Sequence, residues 1–231
     1  MSAKFKARKS DSKTGELFLY GDIGDSFWGD GISAKMVVDE VNALGKIDRL
    51  MVRMNSAGGD VFDGLSIYNF LSRHPAHVEI DVDGMALSIA SIIAMAGKEI
   101  RMAKNAMMMI HDPWTMAVGS AQDLRKTADL MDQVKGNLIN TYADRSGMNA
   151  VRVSELMSEE TWLTAEQAVV EGFADKITGE LQIAARFDAR RFRNTPNGVG
   201  GAAPQQLGIN LFRAKIAQMG ERAKACGAVP L

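Results

Sequence analysis

The chain has 231 residues, 46% of them hydrophobic and 24% charged, with a formal net charge of -1. That length and apolar share suit one sizeable α/β domain with an appendage, and the near-neutral charge excludes a globally basic nucleic-acid binder. The single cysteine, Cys226, leaves no partner for an intrachain disulfide and fits a reducing compartment.

The first residues, MSAKFKARKSDSK, are charged with no apolar stretch behind them. They read as a flexible lead-in (residues 1–14) and not as a secretory signal. The longest apolar run, Gly84–Gly97, is well short of the roughly 20 residues that span a bilayer. Both features point to a cytoplasmic protein without a membrane partner. Glu16–Tyr20 (ELFLY) predicts a strand, followed by the glycine-rich connection GDIGDSFWGDG. Ser33 then caps a helix to about Leu44, with Ala34, Val37, Val38, Val41 and Leu44 at helical spacing. Arg49–Met54 is a strand running into the loop Asn55–Asp60, NSAGGD, and Val61, Leu65, Tyr68 and Leu71 mark the next helix. The pattern repeats as the strand His77–Val82, a glycine-hinged turn at DGMAL, and the apolar helix SIASIIAMAG. Such alternation predicts βαβ crossovers and a parallel sheet.

Glu99–Ala103 and Ala106–His111 are two further short strands. Ser120 to about Ser146 is a long amphipathic helix, with Leu124, Ala128, Met131, Leu138 and Tyr142 apolar, that can protrude and offer a face to a partner. A short helix covers Asn149–Met157, Thr161–Leu163 is extended, and Thr164–Gln167 has the form of a capping box for a helix that Gly172 closes. Many of the fifteen methionines lie in apolar runs and fill irregular core gaps. Beyond about Gly179 the character changes: Asn194–Gln206 is a linker by composition. The residues around it, from 181 to 231, are basic through Arg186, Arg190, Arg191, Arg193, Arg213, Lys215, Arg222 and Lys224. Three readings stand for this tail: a solvated, partly disordered extension, a scaffold-binding or self-cleaved segment, and a nucleic-acid contact, which its few aromatics disfavour.

Open α/β sheets place their sites in the loops that end strands, and three such loops hold chemistry. The glycine pair of NSAGGD lets backbone N–H groups face a ligand with no side chain in the way, although a plain tight turn reads the same. A phosphate cradle is disfavoured because neither Gly-Lys-Ser/Thr nor GxGxxG is present. Ser88 sits where an apolar helix opens, close to unpaired N–H groups and the positive end of the helix dipole, where a nucleophile and its oxyanion are both served. Taken alone it reads first as a small packing residue, the role kept for Ser91, and only the rest of the chain reverses that reading. His111 ends an apolar strand, where an imidazole acts either as a base or as a satisfied structural group. His74 and His77 flank a proline and read as surface residues. A serine–histidine pair needs an acceptor to orient the imidazole. Asp112 would point to the opposite strand face, so Glu159 and Glu160 are better placed, while Lys98 and Lys104 keep a Ser–Lys dyad open.

The succession NSAGGDVFDGLSIYNFL, DGMALSIASIIAMAG, NAMMMIHDPW and EETWLTAEQAVVEGFADKI closely resembles the ClpP peptidase family, over about Glu16 to Ile177. GGDVFDG, IYNFLSRHP and IHDPW look most like its phage branch, the head maturation proteases. The resemblance implies a ClpP/crotonase-like spiral of βαβ units over residues 15–180, with the long helix protruding and residues 181–231 as an extension. It makes Ser88 the nucleophile, His111 the general base and Glu160 the third triad member, with oxyanion donors at the Gly59 and Ile89 N–H groups. Glutamate stands where the family has aspartate, and Ala57 where it usually has proline. The implied activity is serine endopeptidase chemistry without cofactor or metal, in a homo-oligomer of stacked sevenfold rings that processes capsid or scaffold proteins. Two alternatives stand beside it: the proteolytic subunit of an ATP-dependent protease driven by an AAA+ unfoldase, and an inactive assembly or acyl-CoA protein on the same spiral.

Overall fold

The computed structural model describes residues 4–24, 31–179 and 191–196. The core of GDIGDSFWGDG, nearly all of the basic tail and Cys226 lie outside the described residues. In chain order the elements are β1 (Lys4–Lys9), β2 (Thr14–Tyr20), α1 (Ala34–Ala43), β3 (Arg49–Ser56), α2 (Val61–Ser72), β4 (His77–Leu87) and α3 (Ile89–Ala94). They continue with β5 (Glu99–Ala103), β6 (Met107–Ile110), α4 (Ala121–Ser146), α5 (Ala150–Ser158), β7 (Thr161–Thr164), α6 (Ala165–Val170) and β8 (Lys176–Thr178). Residue contacts divide the chain into one unit through Ala185 and a second from Arg186 onward.

The sheet runs β1-β2-β3-β4-β5-β8, and β6 leaves this path to pair with β4 and β7. The pairs from β2 through β8 are parallel, as are β4 and β6, which is the βαβ pattern expected. The sequence reading is corrected at two strands. Residues 4–9, expected to belong to a flexible lead-in, form β1, antiparallel to β2, because Phe5 and Ala7 alternate onto the core between charged neighbours. The DGMAL segment, expected to turn at Gly84, instead extends β4. The strand pairs with β5 through Val82 and then changes partner, setting Met85–Leu87 against Met107–Met109 of β6.

Alternation decides which side each strand buries. Leu17, Leu19, Leu50, Val52, Ile80 and Ile100 are fully buried, in one cluster with the apolar faces of α1, α2 and α3. At roughly 25 cal/mol per Å² of apolar surface removed from water, such side chains contribute about 1.5–3 kcal/mol each, so this layer is the main source of stability. The residues between them carry charge. Arg53 holds Asp83 through both guanidinium arms (2.7 and 2.5 Å), Tyr20 donates to the same carboxylate (2.5 Å), and Arg101 bridges Asp81 and Glu79. Helix α4 opens on a reciprocal capping box between Ser120 and Asp123, and its buried residues, Val134, Leu138 and Tyr142, all lie in its second half. The first half stands exposed, as a protruding helix should. No described helix is long and apolar enough to cross a membrane.

Candidate active site

The site forms where three parallel strands end. β3 runs into the Gly58-Gly59 loop, β4 into Ser88 and β6 into His111, so neighbouring strands deliver all three groups to one edge of the sheet. The turn that sequence spacing assigned to Gly84 is made by Ser88 itself, at φ 56° and ψ -130°. A non-glycine residue in that conformation carries strain on the order of 1–3 kcal/mol, which the surroundings must hold. Ser88 occupies the N-cap position of α3 yet makes no side-chain capping bond. Its hydroxyl turns instead to His111, with Oγ 2.7 Å from Nε2. His111 is 8% exposed, at the end of the buried strand Met108-Met109-Ile110.

Glu160 is buried at 3% exposure and is one of two non-glycine residues with positive φ, at 52°, among the described residues; the other is Ser88. It precedes β7, which pairs antiparallel to β6 with Ile110 opposite Thr161. Glu160 directly precedes Thr161 and His111 directly follows Ile110, so the two flank the end of this strand pair. Trp162 donates its indole N–H to Glu160 Oε1 at 3.3 Å, which helps hold the carboxylate side chain. Asp112 faces away, as expected for the next residue along: its carboxylate accepts from Lys135 of α4 (2.9 Å) and from Ser158 (3.2 Å). Lys98 and Lys104 are both exposed, at the two ends of β5, a strand that pairs with β4 only before it reaches the serine. The Ser–Lys dyad therefore has no geometric support.

The glycine loop presses on the same turn. A Cβ at Gly58 would lie 2.7 Å from Leu87 O, 2.8 Å from Ser88 Cβ and 3.2 Å from Ile89 N, at a φ of 86° that side chains resist. Two of the loop's N–H groups are taken: Gly58 donates to Ser56 Oγ (3.2 Å) and Asp60 to Ile23 O (2.8 Å). The Gly59 and Ile89 N–H groups, the oxyanion donors that the resemblance implies, flank this close approach. Of the other histidines, His77 is half exposed beside Glu79 (3.8 Å). Partial burial lowers the pKa of His74, whose Nδ1 accepts from Ala76 N at 3.2 Å.

Ser91 departs from its expected packing role. It is fully buried and hydrogen-bonded: Oγ meets Ser88 O at 2.5 Å, Met109 O at 3.2 Å and the Tyr142 hydroxyl at 2.7 Å. A serine three residues after another on a helix can bond back to that residue's carbonyl, so the spacing carried a signal. Its link to Tyr142, fifty-one residues away, did not.

A strained serine hydrogen-bonded to a histidine thus lies beside a glycine loop at the strand ends of an α/β sheet, and comparison with known proteins gives the chain's family. The Clp protease family matches residues 5–180, and the chain belongs to that family. Among similar proteins, the "ATP-dependent Clp protease proteolytic subunit" of Ligilactobacillus salivarius is 35% identical over 163 residues, 70% of this chain and 81% of the relative. "ATP-dependent Clp protease proteolytic subunit 2" of Tropheryma whipplei is 29% identical over 165 residues, covering 69% and 89%. The proteolytic subunit of Bacteroides fragilis is 32% identical over 130 residues, 55% of this chain. The chain spans only 63% of that relative's length.

Proposed function

We propose that the chain is a serine endopeptidase that cleaves polypeptides through an acyl-enzyme on Ser88. The observation that carries this reading is the 2.7 Å contact between Ser88 Oγ and His111 Nε2 on a strained turn. His111 Nε2 takes the hydroxyl proton as Oγ adds to the scissile carbonyl, and the Gly59 and Ile89 N–H groups receive the oxyanion. The imidazolium returns its proton to the departing amine, and water repeats the sequence to release the acid and restore Ser88. Glu160 is the carboxylate that holds the imidazole in the right tautomer and stabilises it when charged. A fluorophosphonate probe labels Ser88 in the wild type, and Ser88→Ala abolishes the labelling. Labelling that persists in the variant identifies another nucleophile.

The relatives' names favour a proteolytic subunit working with an ATP-dependent partner over capsid processing, which rests on the motif details GGDVFDG, IYNFLSRHP and IHDPW alone. Degradation of a folded substrate only with ATP and an unfoldase supports the first. Cleavage of a capsid precursor by the protein alone supports the second. Assembly into stacked homo-oligomeric rings belongs to the same proposal. It is supported by apolar groups in the open at the protruding end: Trp114, Met116, Val118, Leu124 and Leu130 are 44–95% exposed.

A further inference from the structure

The peptide unit joining Ser88 to Ile89 has two duties in the proposed chemistry. Its nitrogen side is the Ile89 N–H that meets the oxyanion, and its carbonyl side is Ser88 O. In a trans peptide these point in opposite directions within one plane, so whatever holds the carbonyl aims the N–H. Two groups hold it: the Ser91 backbone N–H at 2.9 Å and the Ser91 hydroxyl at 2.5 Å. Behind that hydroxyl, at 2.7 Å, stands the phenol of Tyr142 from α4, 2% exposed and packed edge-on against Phe173 with ring centroids 5.7 Å apart.

Proton counting gives the chain a direction. Ser91 has one hydroxyl proton, and its shortest contact is to a carbonyl that can only accept, so the Ser91 oxygen is left to accept from Tyr142. Burial raises the Tyr142 pKa above its ordinary value, so the phenol keeps its proton as a donor throughout neutral pH. Hydrogen bonds in series polarise one another, which makes the far end of this peptide, the Ile89 N–H, a stronger donor. Met109 O takes part too: it accepts from Ser88 N (2.9 Å) and lies 3.2 Å from Ser91 Oγ, tying the strained turn to the strand that ends in His111.

We propose that Ser91 and Tyr142 are positioning residues that, through the chain Tyr142 O–H to Ser91 O–H to Ser88 C=O, orient the Ile89 N–H of the oxyanion hole. This rests on the serine peptidase reading. The proposal is tested with Tyr142→Phe, which removes a single oxygen, Ser91→Ala, and the double variant, each beside wild type in the full chain. The expected result is a ten- to hundredfold fall in kcat for peptide hydrolysis and in the rate of fluorophosphonate labelling. KM stays within about twofold, and the pH midpoint of activity is unchanged because His111 and Glu160 are untouched. The double variant is no slower than Ser91→Ala, because the two hydroxyls act in one chain. Ser91→Cys, retaining a weak donor, falls between Ser91→Ala and wild type. Wild-type kcat and labelling in Tyr142→Phe and Ser91→Ala, even with a lowered Tm, overturn the proposal and leave a purely structural pair. Wild type that fails to label at Ser88 overturns the peptidase reading, and the proposal with it. Should Ser91→Ala not fold, the near-isosteric Tyr142→Phe decides the matter alone.

Discussion

Glu160 sits in the turn just before β7, the strand paired with β6, in a conformation that side chains avoid, and that is an expensive way to place an ordinary glutamate. Positive φ for a non-glycine residue persists only where its surroundings over-determine it. Here these are the antiparallel pairing of β6 with β7, the Trp162 indole, and burial to 3% exposure. In the proposed mechanism the carboxylate is required for its charge and its two acceptor oxygens, and the extra methylene relative to aspartate only sets its reach. Glu160→Asp therefore retains measurable peptidase activity. Glu160→Gln, which keeps the shape and loses the charge, lowers kcat by up to about 10⁴-fold, as expected when a triad acid becomes an amide. Steady-state kinetics on a short peptide distinguish the two, and wild-type rates in Glu160→Gln would remove it from the mechanism.

At the scale of elements, the second sheet face is built differently from the first. Parallel strands are usually apolar on both sides, whereas β2 to β5 here alternate apolar with charged residues. Asp83 is 2% exposed, and it is tolerable there because Arg53 grips it with two nitrogens while Tyr20 supplies a third donor. Removing one partner leaves the other charge buried and uncompensated, which is worse than removing both. Arg53→Ala should cost on the order of 3 kcal/mol in unfolding free energy, and Arg53→Ala with Asp83→Ala should cost less than the single change. Denaturant melts measure both, and a double variant weaker than the single would refute the compensation argument.

For the whole molecule, two tyrosines set a limit at high pH. Burial raises the Tyr20 and Tyr142 pKa values in the folded state, and the hydrogen bond to Asp83 adds to the effect at Tyr20. The sign follows from proton binding: above an unfolded tyrosine pKa of roughly 10 the unfolded chain loses protons that the folded chain keeps. Stability is therefore complete below about pH 10 and declines as pH rises above it. Urea melts at successive pH values detect the decline, and Tyr20→Phe or Tyr142→Phe makes it shallower. The exposed apolar side chains of the protruding region carry the prediction for assembly. Light scattering should give a multiple of the chain mass at working concentration, reduced by Leu130→Glu, and a wild-type monomer would count against stacked rings.

Much of this protein was legible in the order of its residues because local rules act over short spans. Period-two and helical apolar spacing placed β3, α1, α2, β5, β6 and α4 within a few residues of their observed ends. Capping residues Ser33, Ser120 and Thr164 begin their helices where expected. Ser88, His111 and the glycine loop stood out as chemical groups at strand ends. What lay beyond sequence was decided by contacts between distant segments. β1 needed β2 as a partner, since a short strand alternating lysine with apolar residues has no reason to order alone. Gly84 stays extended because β6 accepts the second half of β4, and so the turn falls on a strained serine that no propensity would choose. Ser91 looks like packing until α4, more than fifty residues on, brings a phenol to its hydroxyl. Sequence spacing can nominate a nucleophile and its base. Only tertiary packing brings them to 2.7 Å and holds the turn on which the serine sits.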